Sequence, residues 1–311
     1  MAPAFANAGS SRIRQNSGIA ATIPRSGERG YGNSRFAMGF QSKYVSETIV
    51  DVKNVTVNFS GFKALNELDF SIERGELRVV IGPNGAGKTT LLDVITGKLR
   101  PTSGNVVFQP ADCPAREISR LGVEDIAKLG IGRKFQTPNV FKSLTVWENL
   151  KLSIRSKRGV GATLLAPFSQ NGKAHMQEIL ETIGLAAKAN VPAGILAHGE
   201  KQWLELGMLM AQDPELLLVD EPVAGMSPRE TERTGALLLA MARKHTLLVI
   251  DHDMTFVRQI ASKVTVLHEG RLLCQGSMKE VQNNPKVIEV YLGQHKEEGE
   301  EQHHANGAAK K

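Results

Sequence analysis

The chain has 311 residues, 41% of them hydrophobic, so it can bury a sizeable core and is not disordered as a whole. Its two cysteines, Cys113 and Cys274, exclude a disulfide scaffold and a cysteine-built zinc site. The net charge of +6 sits mostly at the start, where residues 1–46 hold Arg12, Arg14, Arg25, Arg29, Arg35 and Lys43 against Glu28 alone; the rest is close to neutral, which removes the electrostatic case for nucleic acid.

Residues 1–46 are rich in Ser, Gly, Asn and Arg and lack a hydrophobic period, so they read as a disordered basic extension. The same Arg-rich, acid-poor composition occurs in organelle transit peptides and in mobile bacterial tails. No apolar h-region follows the basic residues, so a secretory signal is not expected. No apolar run approaches the roughly 18–20 residues that span a bilayer.

The next segment alternates: Ile49, Val52, Val55, Val57 and Phe59, then Leu65, Leu68, Phe70 and Ile72. That pattern predicts short antiparallel strands. Three continuous apolar runs follow, at residues 77–81, 216–219 and 247–250. Such runs suit strands covered on both faces in a mostly parallel sheet. Helical patterns lie between them, and the run from Gly235 to Ala242 reads as a core helix. The fold class is therefore α/β.

Directly after the first buried run comes Gly82-Pro83-Asn84-Gly85-Ala86-Gly87-Lys88-Thr89-Thr90. The glycines let successive backbone N–H groups converge on one anion, and a helix starting near Lys88 adds its positive end. Lys88 supplies a point charge for β- and γ-phosphates, and Thr89 a hydroxyl for Mg²⁺. This is a phosphate loop in its proper strand-to-helix context. The second buried run ends in Asp220-Glu221-Pro222, at the edge where open α/β sheets bind ligands. Asp220 is expected at the metal, and Glu221 as the base that polarises the attacking water. His252, after the third run, is placed to bond the γ-phosphate.

With these motifs the sequence resembles the ATP-binding subunits of ABC transporters over residues 47–293. The resemblance implies a P-loop fold with an antiparallel β subdomain and a helical subdomain at about residues 137–210. It implies that Phe59 stacks on adenine, with Phe62 as its rival, and that Gln136 reaches Mg²⁺ and the water. Leu196-Ala197-His198-Gly199-Glu200 falls at the signature position, which caps ATP held by a second subunit paired head to tail. Residues 224–227 match the dimer-contact loop. Ala197 stands where the family usually has Ser and cannot donate a side-chain hydrogen bond, so the site on the partner's phosphate loop is expected to be the weakened one.

Within the family the chain is similar to the LivG-like branched-chain amino-acid importer group. Its stretches 198–209 and 220–226 look most like urea-importer ATP-binding subunits, which implies urea as the cargo, with branched-chain amino acids or small amides as the alternative. The resemblance implies ATP and Mg²⁺ as ligands, permease subunits and a second, different ATP-binding subunit as partners, an indirect link to a solute-binding protein, and a place on the cytoplasmic face of the inner membrane. A soluble ribosome- or DNA-directed cassette ATPase is the competing class; one cassette and no sustained heptads speak against it. From about Gln294 the chain is polar through His303 and His304 and reads as a solvated tail.

Overall fold

The protein is described by a computed structural model that covers residues 48–134, 139–154 and 170–290. The basic extension, Gln136, and the polar tail with His303 and His304 lie outside the described residues.

The alternating segment forms β1 (Thr48–Phe59) and β2 (Phe62–Glu73), an antiparallel pair whose last register partners are Phe59 and Phe62. With β4 (Ser103–Phe108) and β5 (Arg116–Glu117) they make a four-stranded sheet in the order β2-β1-β4-β5.

The second sheet has six strands. Its members are β3 (Leu77–Ile81), β6 (Ile131–Lys134), β7 (Leu216–Asp220), β8 (Thr246–Ile250), β9 (Lys263–His268) and β10 (Arg271–Gly276). Their order is β10-β9-β3-β8-β7-β6. All neighbours are parallel except the edge pair β9 and β10.

The continuous apolar runs have a direct cause: each of these strands serves two cores. Leu77, Val79, Ile81, Leu217, Val219, Leu247 and Val249 enter one core, while Val80, Leu216, Leu218, Leu248 and Ile250 enter the other. Alternate side chains point to opposite faces, so a doubly covered strand needs apolar residues at every position. The second core is closed by the four-stranded sheet and by α1 (Lys88–Ile95), through residues such as Val50, Phe70, Val106 and Leu92.

The first core is closed by helices. They are α3 (Val146–Ser153), α4 (Gln170–Thr182), α5 (His198–Met210), α6 (Pro228–Met241) and α7 (Met254–Ile260). The short α2 (Val123–Leu129) leads into β6, and α8 (Met278–Gln282) follows β10. The predicted core helix at Gly235–Ala242 is the second half of α6. Because β3, β8, β7 and β6 run parallel, their carboxyl ends share one edge of the sheet. The phosphate loop and Glu221 leave from that edge, His252 follows Ile250 there, and Lys134 ends β6 at the same edge.

Candidate functional site

The phosphate loop is built on left-handed backbone at Gly85 and Gly87, with φ of 77° and 96°. Gly87 is the N-cap of α1. A Cβ there would meet the Ala64 carbonyl oxygen and come within 2.8 Å of Leu65 Cδ2, so the residue must also be small. Lys88 Nζ donates to the carbonyls of Gly82 at 2.8 Å and Pro83 at 2.9 Å, which folds the ammonium over its own loop. Burial pulls the Lys88 pKa down, and the charges of Glu221 and Asp220 partly restore it.

Asp220 ends β7 and is buried, with 2% of its surface exposed. Burial raises its pKa against the opposing pull of Arg133, and Glu221 and Asp93 add to the rise. Its Oδ1 is buried and has no hydrogen-bond partner among the described residues. A buried, orphaned carboxylate oxygen is costly unless something binds it. With the hydroxyl of the exposed Thr89, an all-oxygen donor set is available, which is the chemistry that a hard cation such as Mg²⁺ takes.

Glu221 follows with φ of 44°, a left-handed conformation that disfavours a side chain by roughly 1–2 kcal/mol. Its N–H donates to Ile250 O at 2.9 Å, which anchors the turn to β8. Consecutive carboxylates thereby leave the strand differently: one is buried in the sheet edge and the other is partly exposed beside it. His252 Nδ1 lies 3.7 Å from Glu221 Oε1.

Strand β8 stops at Ile250, two residues before His252. Asp251 explains how the histidine is nevertheless placed. Its Oδ1 accepts from the N–H groups of His252 at 2.7 Å and Asp253 at 2.9 Å, while Asp253 caps α7 through Thr255 and Phe256. The flanking acids hold backbone, and the imidazole between them stays exposed. Burial raises the Asp251 pKa against those two hydrogen bonds.

A cleft of about 370 Å³ lies beside the loop, lined by Phe62, Lys63, Asn66, Pro83, Asn84, Gly85, Ala86, His268 and Glu269. Phe62, rather than Phe59, is among its lining residues. Both aromatics are exposed, at 62% and 49%. The hairpin register explains the outcome: the two face each other at the tip, so either ring could be read from the sequence as the base platform.

The signature segment forms the start of α5, with Ala197 as N-cap. Glu200 Oε2 accepts from the Ala197 N–H at 3.1 Å, and Glu200 Oε1 pairs with Lys188 at 2.5 Å. Partial burial works against ionisation of Glu200, but these contacts win and lower its pKa. The other half of a capping box is missing, because Ala197 has no side-chain oxygen. Leu196 and Gly199 are buried, whereas Ala197 and His198 are exposed. A Cβ on Gly199 would come within 2.6 Å of Glu230 Oε1. Glu230 completes a capping box with Ser227, so the predicted dimer-contact loop ends in the cap of α6.

Sequence reasoning missed Arg133, Lys134, Glu205 and Asp251. All four are charged yet buried or nearly so around the sheet edge. The usable signal was the pair Arg133-Lys134 inside a segment that leads directly to Gln136.

Residues 65–224 match the family described as ABC transporter, and residues 271–297 match that described as branched-chain amino acid ATP-binding cassette transporter. The chain belongs to the ABC transporter ATP-binding family. It is an ATPase cassette, the ATP-binding subunit of an importer. It is 34% identical over 259 residues to the high-affinity branched-chain amino acid transport ATP-binding protein LivG of Salmonella typhimurium, covering 80% of this chain and 100% of the relative. It is likewise 34% identical over 261 residues to BraF of Pseudomonas aeruginosa, again covering 80% and 100%. Among solved structures, an ABC transporter cassette in its ADP conformation aligns with TM-score 0.68 and 30% identity over 80% of this chain and 100% of that one. A dimeric cassette in a post-hydrolysis state, bound to ADP and Pi, aligns with TM-score 0.61 and 25% identity over 74% and 98%.

Proposed function

We propose that this chain hydrolyses ATP at a composite site and thereby drives an importer of branched-chain amino acids. The observation that carries the catalytic part is the meeting of Lys88, Asp220, Glu221 and His252 at one sheet edge, with His252 Nδ1 3.7 Å from Glu221 Oε1. The names of the relatives support the cargo. A second reading, urea, has the resemblance of residues 198–209 and 220–226 in its favour.

The backbone of residues 82–90 cradles the phosphates and Lys88 meets the β- and γ-oxygens. Asp220 and Thr89 would hold Mg²⁺, together with Gln136 by resemblance; when bound, the cation neutralises charge on the phosphate oxygens. Glu221 takes the proton of the attacking water as general base. His252 holds the γ-phosphate and loses that contact when it leaves. Phe59 or Phe62 stacks on the base.

Residues 196–200 cap ATP on a second cassette. The dimeric relative supports such pairing, and a sister cassette of different sequence is the proposed partner. Closure of the pair moves the helical region against permease subunits on the cytoplasmic face of the membrane, to which the chain binds peripherally. A solute-binding protein delivers the cargo to that permease. The work comes from the difference in ATP affinity between open and closed states.

Two experiments test this. Glu221→Gln should retain ATP and stop turnover; hydrolysis at the normal rate removes Glu221 as base. Uptake of labelled leucine and labelled urea by the complete transporter decides the cargo. Leucine uptake alone supports the first reading, and urea uptake alone replaces it with the second.

A further inference from the structure

The described part of the Mg²⁺ site rests on two separate elements. Thr89 belongs to α1, and Asp220 ends β7. Besides the core that α1 shares with β7, Arg133 links the two from a third element, β6. Its Nη2 donates to Asp220 Oδ2 at 3.2 Å, and its Nη1 donates to Asp93 Oδ1 at 2.5 Å and lies 3.4 Å from Thr96 Oγ1. Asp93 is in the body of α1, and Thr96 is its C-cap. The guanidinium therefore straps the helix that carries Lys88 and Thr89 to the strand that carries Asp220. The strap is enclosed: the side chains of Arg133, Asp220 and Asp93 are 5%, 3% and 19% exposed.

The two oxygens of Asp220 are in different situations. Oδ2 takes the Arg133 hydrogen bond, while Oδ1 is buried and has no hydrogen-bond partner among the described residues. The rigid guanidinium gives one hydrogen bond to each of two carboxylates, Asp93 and Asp220, and so holds them at a separation that a flexible ammonium would not set.

We propose that Arg133 is a positioning residue for Mg²⁺. It occupies Oδ2, ties Asp220 to the helix that carries Thr89, and leaves Oδ1 as the oxygen offered to the cation. This rests on the reading of Asp220 as the cation's carboxylate. Mg²⁺ demands near-ideal octahedral geometry, whereas Ca²⁺ accepts a looser shell. Losing the strap should therefore harm Mg²⁺ binding more than Ca²⁺ binding. A role in stability alone makes no such distinction.

The test uses the full chain and a fluorescent non-hydrolysable ATP analogue, titrated with Mg²⁺ and separately with Ca²⁺. Arg133→Gln should raise the Mg²⁺ half-saturation about tenfold, the range found when partners of metal ligands are removed. The Ca²⁺ half-saturation should rise by less than about threefold, and analogue binding in EDTA should not change. Arg133→Lys should fall between the two proteins. If Arg133→Gln does not fold, Asp93→Asn releases the far end of the strap and should shift the same Mg²⁺-to-Ca²⁺ ratio in the same direction. Equal shifts for both cations, or none, overturn the proposal. Asp220→Asn is the control for the underlying reading: it should weaken both cations. If it weakens neither, the metal assignment of Asp220 has failed; if it weakens both while Arg133→Gln leaves the ratio alone, only the role of Arg133 has failed.

Discussion

Lys134 Nζ lies 3.7 Å from Glu205 Oε2, and the two side chains are 0% and 7% exposed. The pair joins the last residue of β6 to the middle of α5. One end of this link precedes Gln136, and the other is on the helix that begins with the signature residues. Asp220 and Asp251 also act on Lys134 electrostatically. A buried cation thus sits among acids that the sheet edge has gathered.

Removing one partner of a buried pair strands the other charge, at about 3–5 kcal/mol. Glu205→Gln and Lys134→Met should each show losses of that order in chemical denaturation. The double variant Lys134→Met/Glu205→Leu should lose clearly less than the two single effects added together, because no charge remains to be solvated. Simple additivity would mean that the pair is not energetically coupled.

The same burial sets a pH dependence. Burial lowers the Lys134 pKa, with Glu205 and Asp220 opposing it. Between that lowered value and the ordinary value near 10.4, the unfolded chain binds the extra proton. Stability contributed by this residue therefore rises with pH through that window. Asp220 gives the opposite sign, because burial raises its pKa above the ordinary value. The folded state binds the extra proton there, so stability falls as pH rises through that window and the loss persists at neutral pH. Asp220→Asn also removes the buried partner of Arg133, a cost that does not depend on pH over this range, so the effect to read is the pH profile: the substitution should flatten the change in melting temperature of the nucleotide-free protein between about pH 4 and pH 7. A profile unchanged by the substitution contradicts this.

Ala197 is the N-cap of α5 and leaves its capping box half made, since only Glu200 reaches back. Ala197→Ser should stabilise the fold by about 1 kcal/mol, the usual worth of such a cap. In the complete transporter the same change should raise hydrolysis at the site on the partner's phosphate loop. Unfolding curves check the first part, and ATPase rates with the partner's site shown to be active check the second. An unchanged rate there means that the signature hydroxyl is not what limits that site.

Most of this site was legible because its chemistry is local in sequence. Residues 82–90 need their neighbours in order to curl round an anion, and Asp220-Glu221 must sit at a strand end. The alternation before Phe59 and the unbroken runs after Glu76 told half-covered strands from doubly covered ones. What remained hidden was non-local. Arg133 meets Asp93 and Asp220 only after β6 has been laid beside β7. Lys134 reads in one dimension as a surface cation, and its burial against Glu205 depends on α5. Phe59 and Phe62 are direct partners at a hairpin tip, so the sequence offers both rings as the base platform.

Gly85 and Gly87 separate two reasons for glycine within one loop. Both have left-handed backbone, with φ of 77° and 96°. A Cβ on Gly85 meets nothing within 4 Å, so Gly85→Ala adds only conformational strain. That strain is worth about 1–2 kcal/mol. At Gly87 the same strain is joined by contact with the Ala64 carbonyl and Leu65 Cδ2, and backbone cannot swing away as a flexible side chain would. Gly87→Ala should therefore cost about 2–5 kcal/mol in denaturant unfolding, because overpacking is added to strain. Relief would require β2 to move from the loop, which would shift the Leu65 side chain out of the core it shares with Leu91 and Leu92. Equal losses at the two positions would show that backbone conformation alone, and not the approach of β2, dictates glycine here.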